Sequence, residues 1–137
     1  MLCYNPSTSA THFHFNTASG GSQELASPTS WTPDPNTWYH IAIVRNGTTY
    51  TFYRNGNLDG SVTNTGTIPN STASLTIGFA EGIGMFGAVD EVRISKVART
   101  PEEIKQNAQR FPYSIYTSPV MDLTAASSWT NLTWLAK

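Results

Sequence analysis

The sequence predicts an all-β chain: an antiparallel β-sandwich with one short helix near its C-terminal end. Three observations carry that prediction. Short runs alternate polar and apolar residues, two Asn-Gly pairs sit between such runs, and a single helix start occurs late in the chain. At 137 residues the chain has room for one domain and the opening of a second.

The elements follow in order. Thr11 to Thr17 alternates polar residues with Phe13 and Phe15 and reads as a half-buried strand. Residues 18–22 are Ala, Ser and Gly, a turn, and a short strand is expected near Gln23 to Ser27. Pro28, Pro33 and Pro35 punctuate a loop over 28–37. Trp38 to Arg45 is rich in β-branched and aromatic residues and reads as the strongest strand, with Trp38 in the core. Asn46-Gly47 suits a type I′ hairpin turn, because both residues tolerate positive φ. Thr48 to Arg54 then places Tyr50 and Phe52 on one face, and Asn55-Gly56 turns the chain into Asn57 to Thr63. Three consecutive antiparallel strands over 38–63 are therefore expected. A loop over 64–74 leads to an alternating strand, Ser74 to Phe79, and a second loop leads to another, Phe86 to Ser95. An unbroken strand there would turn Asp90 inward with Phe86, Ala88, Val92 and Ile94. Thr100-Pro101-Glu102-Glu103 combines a capping box with Pro at the first helical position, so a helix is expected over about 101–109.

Composition narrows the function. Eight Lys and Arg balance nine Asp and Glu for a net charge of -1, which argues against nucleic acid or an anionic membrane as the main partner. No apolar run is long enough for a membrane span, and the first residues lack the pattern of a signal peptide. The lone Cys3 makes no internal disulfide. His12 and His14 share a strand face and could ligate a metal, but no third ligand is apparent; the plainer reading is solvent-facing His alternating with Phe13 and Phe15. Asn-x-Thr matches at Asn46, Asn70 and Asn131 are expected by chance in a chain so rich in Thr.

Two stretches resemble a known family. Trp38 to Gly47 with Tyr50 to Gly56 is similar to the central meander of laminin G-like domains. Leu75-Thr-Ile-Gly followed by Gly87 to Ile104 is similar to their closing strand, turn and short helix. The resemblance spans roughly residues 11–110. It implies a jelly roll of the concanavalin A-like lectin/glucanase kind, a laminin G-like unit over 1–112, and the start of a following β module or tail over 113–137. Strands that such domains carry earlier in the chain have no room before Thr11, so apolar positions such as Leu75 and Ile77 are expected to be uncovered. The pattern stops mid-module at Lys137, as in a piece of a larger multidomain protein.

The same resemblance admits both glycoside hydrolases and binding modules. Hydrolysis needs two carboxylates facing each other across the scissile bond. Asp90 and Glu91 are adjacent and point to opposite strand faces, whereas Glu102 and Glu103 belong to a helix start. No Ser lies in a Gly-x-Ser-x-Gly turn. The expectation is therefore a non-catalytic recognition or adhesion module, placed outside the cell or on a cell or virion surface. The resemblance implies a glycan or an extracellular protein as its ligand. The alternatives are a structural spacer in a surface, tail-fibre or virion protein, and an accessory domain of a glycoside hydrolase. Candidate ligand-binding residues are Trp31 and Asp34 in the Pro-rich loop and Glu81 in a Gly-flanked loop. Asp90 is the candidate metal ligand, with Ca²⁺ as the implied ion; the structural alternative is an Asp that accepts backbone N–H bonds and locks the turn.

Overall fold

The structure, a computed structural model, describes residues 1–17, 20–70, 72, 74–80 and 82–109. The expected tail or module over 113–137 lies outside the described residues. Six strands build two antiparallel three-stranded sheets, β1 (Leu2–Asn5), β2 (Ala10–Asn16) and β3 (Ser22–Ala26) in one, β4 (Ile41–Asn46), β5 (Thr49–Arg54) and β6 (Asn57–Thr63) in the other. A two-stranded ribbon follows, β7 (Phe79–Ala80) with β8 (Ile83–Gly84), and then the helix α1 (Pro101–Ala108).

The two sheets are the layers of a sandwich. Phe13 and Phe15 of β2 and Leu25 of β3 meet Ile43, Tyr50, Phe52 and Val62 of the second sheet. Tyr50 and Phe52 are the most deeply buried large side chains, as their i, i+2 spacing on β5 requires. The Phe15 and Tyr50 rings stack with centroids 5.8 Å apart, so the aromatic contact crosses the layers.

The meander over 38–63 is present, with two refinements. Asn46 pairs with Thr49, so the first turn is Gly47-Thr48, and only Gly47 has positive φ (61°). That is the pattern of a type II′ turn, one residue later than expected. The second turn is of type I′, with φ of 51° at Asn55 and 76° at Gly56. A β-bulge lies between Phe52 and Tyr53, where Asp59 is the extra residue between Gly60 and Leu58. A Cβ on Gly60 would sit 2.7 Å from the Pro28 ring, so glycine is what lets the Pro-rich loop lie on β6. The helix start matches expectation: Thr100 Oγ1 accepts from the Glu103 N–H, and Glu103 Oε2 accepts from the Thr100 N–H.

Before Thr11 the chain holds one strand, β1, which pairs with β2 from Leu2↔Phe13 to Asn5↔Ala10. Two expectations are corrected. Trp38 is not in the core: β4 begins at Ile41, and Trp38 precedes the sheet with 60% of its surface exposed. The strands expected over 74–79 and 86–95 are not formed, apart from Phe79 in the β7–β8 ribbon. Positive φ at Gly87 and Glu91 interrupts the alternation, and no sheet edge among the described residues pairs with 86–95. Val89, Val92, Ile94 and Val97 therefore face solvent, as do Leu75, Ile77 and Phe86. The segment is instead tied to α1 by side chains: Arg93 Nη1 donates to Asn107 Oδ1 at 2.7 Å.

Candidate functional site

The loop between β3 and β4 is anchored through Trp31. Its N–H donates to the Ser9 carbonyl (2.6 Å), its indole Nε1 to Thr11 Oγ1 (3.2 Å), and its own carbonyl accepts from the Tyr4 hydroxyl (3.1 Å). The Arg54 guanidinium lies 4.7 Å from the centre of its ring. Tyr4 and Tyr39 meet that ring edge-on at 5.1 and 4.9 Å. Trp31 thus joins β1 and β2 of one sheet to β5 of the other, and its ring is engaged by protein groups. The Trp31 ring is half-buried under these contacts.

Asp34 is brought to the same cluster. The Tyr39 hydroxyl accepts from the Asp34 N–H (3.0 Å) and donates to Asp34 Oδ2 (3.3 Å), which closes the loop on itself. Asp34 and Trp38 project into solvent beside this anchored ring system. Trp38, expected in the core, is instead an exposed aromatic at the end of this loop.

Asp90 is exposed, and its Oδ1 accepts from the adjacent Glu91 N–H (2.8 Å). It does not face inward as expected, because the segment around it is not a strand. Ca²⁺ takes six to eight oxygen ligands, and Asp90 belongs to no group of three metal-ligating side chains among the described residues. Glu81 lies outside the described residues.

A different cluster forms on the outer face of the first sheet. His12 and His14 alternate with the inward phenylalanines on β2, and register places Glu24 of β3 directly opposite His14. Glu24 Oε1 contacts His12 Nδ1 and, at 3.1 Å, His14 Nε2. The hydrogen bond with His12 holds the Glu24 carboxyl below its ordinary value, and the charge of His14 acts in the same direction. His12 is 3% exposed, Glu24 about half exposed. Glu24 is the third member that the sequence reading lacked. Its signal was the antiparallel pairing of 11–17 with 23–27 across a short turn, which puts residues 14 and 24 on one face.

A shallow groove between the β5–β6 turn and α1 is lined by Tyr53, Leu58, Pro101, Glu102 and Lys105, and contains none of the expected site residues. Among the described residues no helix is long and apolar enough to cross a membrane.

Comparison with known proteins gives three findings. The Laminin_G_3 family profile, described as the concanavalin A-like lectin/glucanases superfamily, matches residues 2–105. No curated protein matches the chain. A crystal structure of an S-layer domain-containing protein (residues 221–444) from Clostridium thermocellum ATCC 27405 is similar at 21% identity with a TM-score of 0.49; the match covers 79% of this chain and 61% of that one.

Proposed function

The chain belongs to the concanavalin A-like lectin/glucanases superfamily, and we propose that it is a non-catalytic recognition module that binds a glycan through the loop between β3 and β4. The observation that carries this reading is the pairing of an immobilised base with an exposed tip. Trp31, Tyr4, Tyr39 and Arg54 hold the loop, while Trp38 and Asp34 stand in solvent at its surface. An aromatic plate with a carboxylate nearby suits a sugar ring, whose C–H face stacks and whose hydroxyls donate. Fixing the loop before binding lowers the ordering cost of association. Several carboxylates are already engaged, Glu24 with two imidazoles, Asp59 with Arg54 and Glu103 with the helix cap, which favours binding over glycoside hydrolysis. In this reading the chain is a module of a larger extracellular or surface protein, which the superfamily match supports.

The test is a glycan array probed with the full chain, in millimolar Ca²⁺ and in chelator, with Trp38→Ala alongside. Glycan binding that Trp38→Ala removes, and that Ca²⁺ leaves unaltered, is the expected result. No glycan bound in either condition overturns the reading and leaves a protein ligand or a spacer role.

A further inference from the structure

The geometry points to a transition-metal site on the outer face of the first sheet: we propose that His12, His14 and Glu24 bind Zn²⁺. One donor atom from each of the three lies within 4.8 Å of the others, and Glu24 Oε1 faces His12 Nδ1 and His14 Nε2. Zn²⁺ holds imidazole nitrogens at about 2.0–2.1 Å and carboxylate oxygens at about 2.0–2.2 Å, which puts donors roughly 3.3–3.5 Å apart in a tetrahedron. Small side-chain rotations close the set on an ion. Two imidazoles with one carboxylate are a poor set for Ca²⁺ or Mg²⁺, which take oxygen, and a good one for Zn²⁺.

The surroundings support ligation. His12 must offer the Nδ1 lone pair, so its proton must sit on Nε2. That nitrogen lies 2.6 Å from Thr8 Oγ1, which accepts the proton's hydrogen bond while its own hydrogen is directed at the Asn5 carbonyl (3.4 Å). An oxygen acceptor on the second ring nitrogen that fixes the tautomer and plane of a ligating His is the recurrent outer support of metal sites, and the Thr8 hydroxyl supplies one here. The scaffold is rigid as well: His12 and His14 share one strand whose other face is core, and Glu24 is paired to it by sheet register. Glu24 is half exposed, so the fourth position opens to solvent and can take water or an external ligand. The ion would join β2 to β3 on the side away from the aromatic core. The site is independent of the glycan reading and shares no residue with the loop that carries Trp38.

The test uses the untagged full chain, titrated calorimetrically with ZnCl₂, with CoCl₂ as an absorbance probe of tetrahedral geometry. The expected result is one Zn²⁺ per chain, a raised Tm with Zn²⁺ that chelator reverses, and no shift with CaCl₂. Glu24→Gln is the primary variant because its side chain is half exposed and Gln keeps hydrogen bonding to the imidazoles; His14→Gln is the second. Each is expected to weaken Zn²⁺ at least about tenfold, and Thr8→Val about tenfold through the freed His12 ring. Cys3→Ser, which removes the thiol opposite His12 in the register, is expected to retain affinity. No Zn²⁺ binding by the wild type overturns the proposal. So does equal affinity in the wild type and Glu24→Gln, or loss of binding in Cys3→Ser.

Discussion

Arg54 Nη2 donates to Asp59 Oδ1 at 3.0 Å, and the pair closes over the bulge that makes Asp59 an extra residue in β6. The bulge turns the Asp59 carboxylate inward, where the residue is 4% exposed, and the same guanidinium covers Trp31. The pair therefore joins the strand irregularity to the anchored loop. Asp59→Ala leaves a largely buried guanidinium without its counter-charge and is expected to cost about 3–5 kcal/mol. Asp59→Asn keeps an acceptor and is expected to cost about 1.5–3 kcal/mol. Urea midpoints of the two variants check the order, and an Asp59→Ala midpoint equal to wild type would refute the role.

Gly47 and Gly56 both have positive φ, yet differ in surroundings. A Cβ at Gly47 meets nothing within 4 Å, whereas one at Gly56 would lie 2.9 Å from Lys105 Cα and 3.0 Å from Ala108 Cβ in α1. Gly47→Ala is expected to cost about 1–2 kcal/mol from backbone strain alone. Gly56→Ala adds overpacking against the helix, a further cost of about 1–3 kcal/mol. Equal losses in denaturation would show that α1 does not press on the turn.

The helix start carries an acid-sensitive contact. The Thr100 N–H, followed by Arg99, holds the Glu103 carboxyl below its ordinary value of 4.5. A carboxyl depressed in the folded state stabilises above the unfolded value and loses that contribution as pH falls through the folded one. Glu103→Gln should thus lower Tm at pH 7 and cease to differ from wild type near pH 3. Thr100→Ala is expected to cost about 0.5–2 kcal/mol at neutral pH, read from the denaturation midpoint.

His40 behaves oppositely in chemistry but alike in direction. Burial lowers its affinity for a proton from the ordinary 6.5, and the Arg93 charge adds to this. The unfolded chain then takes up a proton near 6.5 that the folded chain refuses, so stability declines as pH falls below that value. The His40→Gln variant should lose this slope between pH 7 and 5. A wild type with flat stability across that interval would show that His40 is solvated.

Local patterns were legible where one segment suffices. Tyr50 and Phe52 announced their shared face by spacing, and Thr100 with Glu103 announced the helix by capping chemistry. The turn at Asn46-Gly47 was legible as a turn but not as a type, because only the pairing of Asn46 with Thr49 decides which residues are central. The neighbouring strand that carries Glu24 was legible, but its partnership with His12 and His14 depends on a register that the sequence leaves open. The alternation of 86–95 is real in sequence, but a strand also needs an edge to pair with, and pairing is not written in the segment itself. Asp90 follows its backbone into solvent for that reason.

The first sheet stakes two unlike chemistries on one alignment. A slip of a single residue between β2 and β3 would bring Leu25 to the imidazole side and Glu24 to the phenyl side. Neither face could tolerate the error: a carboxylate would enter an aromatic interior while a leucine displaced the partner of two histidines. Hydrocarbon and polar groups thus proofread the same pairing from opposite sides, and a mispaired hairpin forfeits both contacts at once.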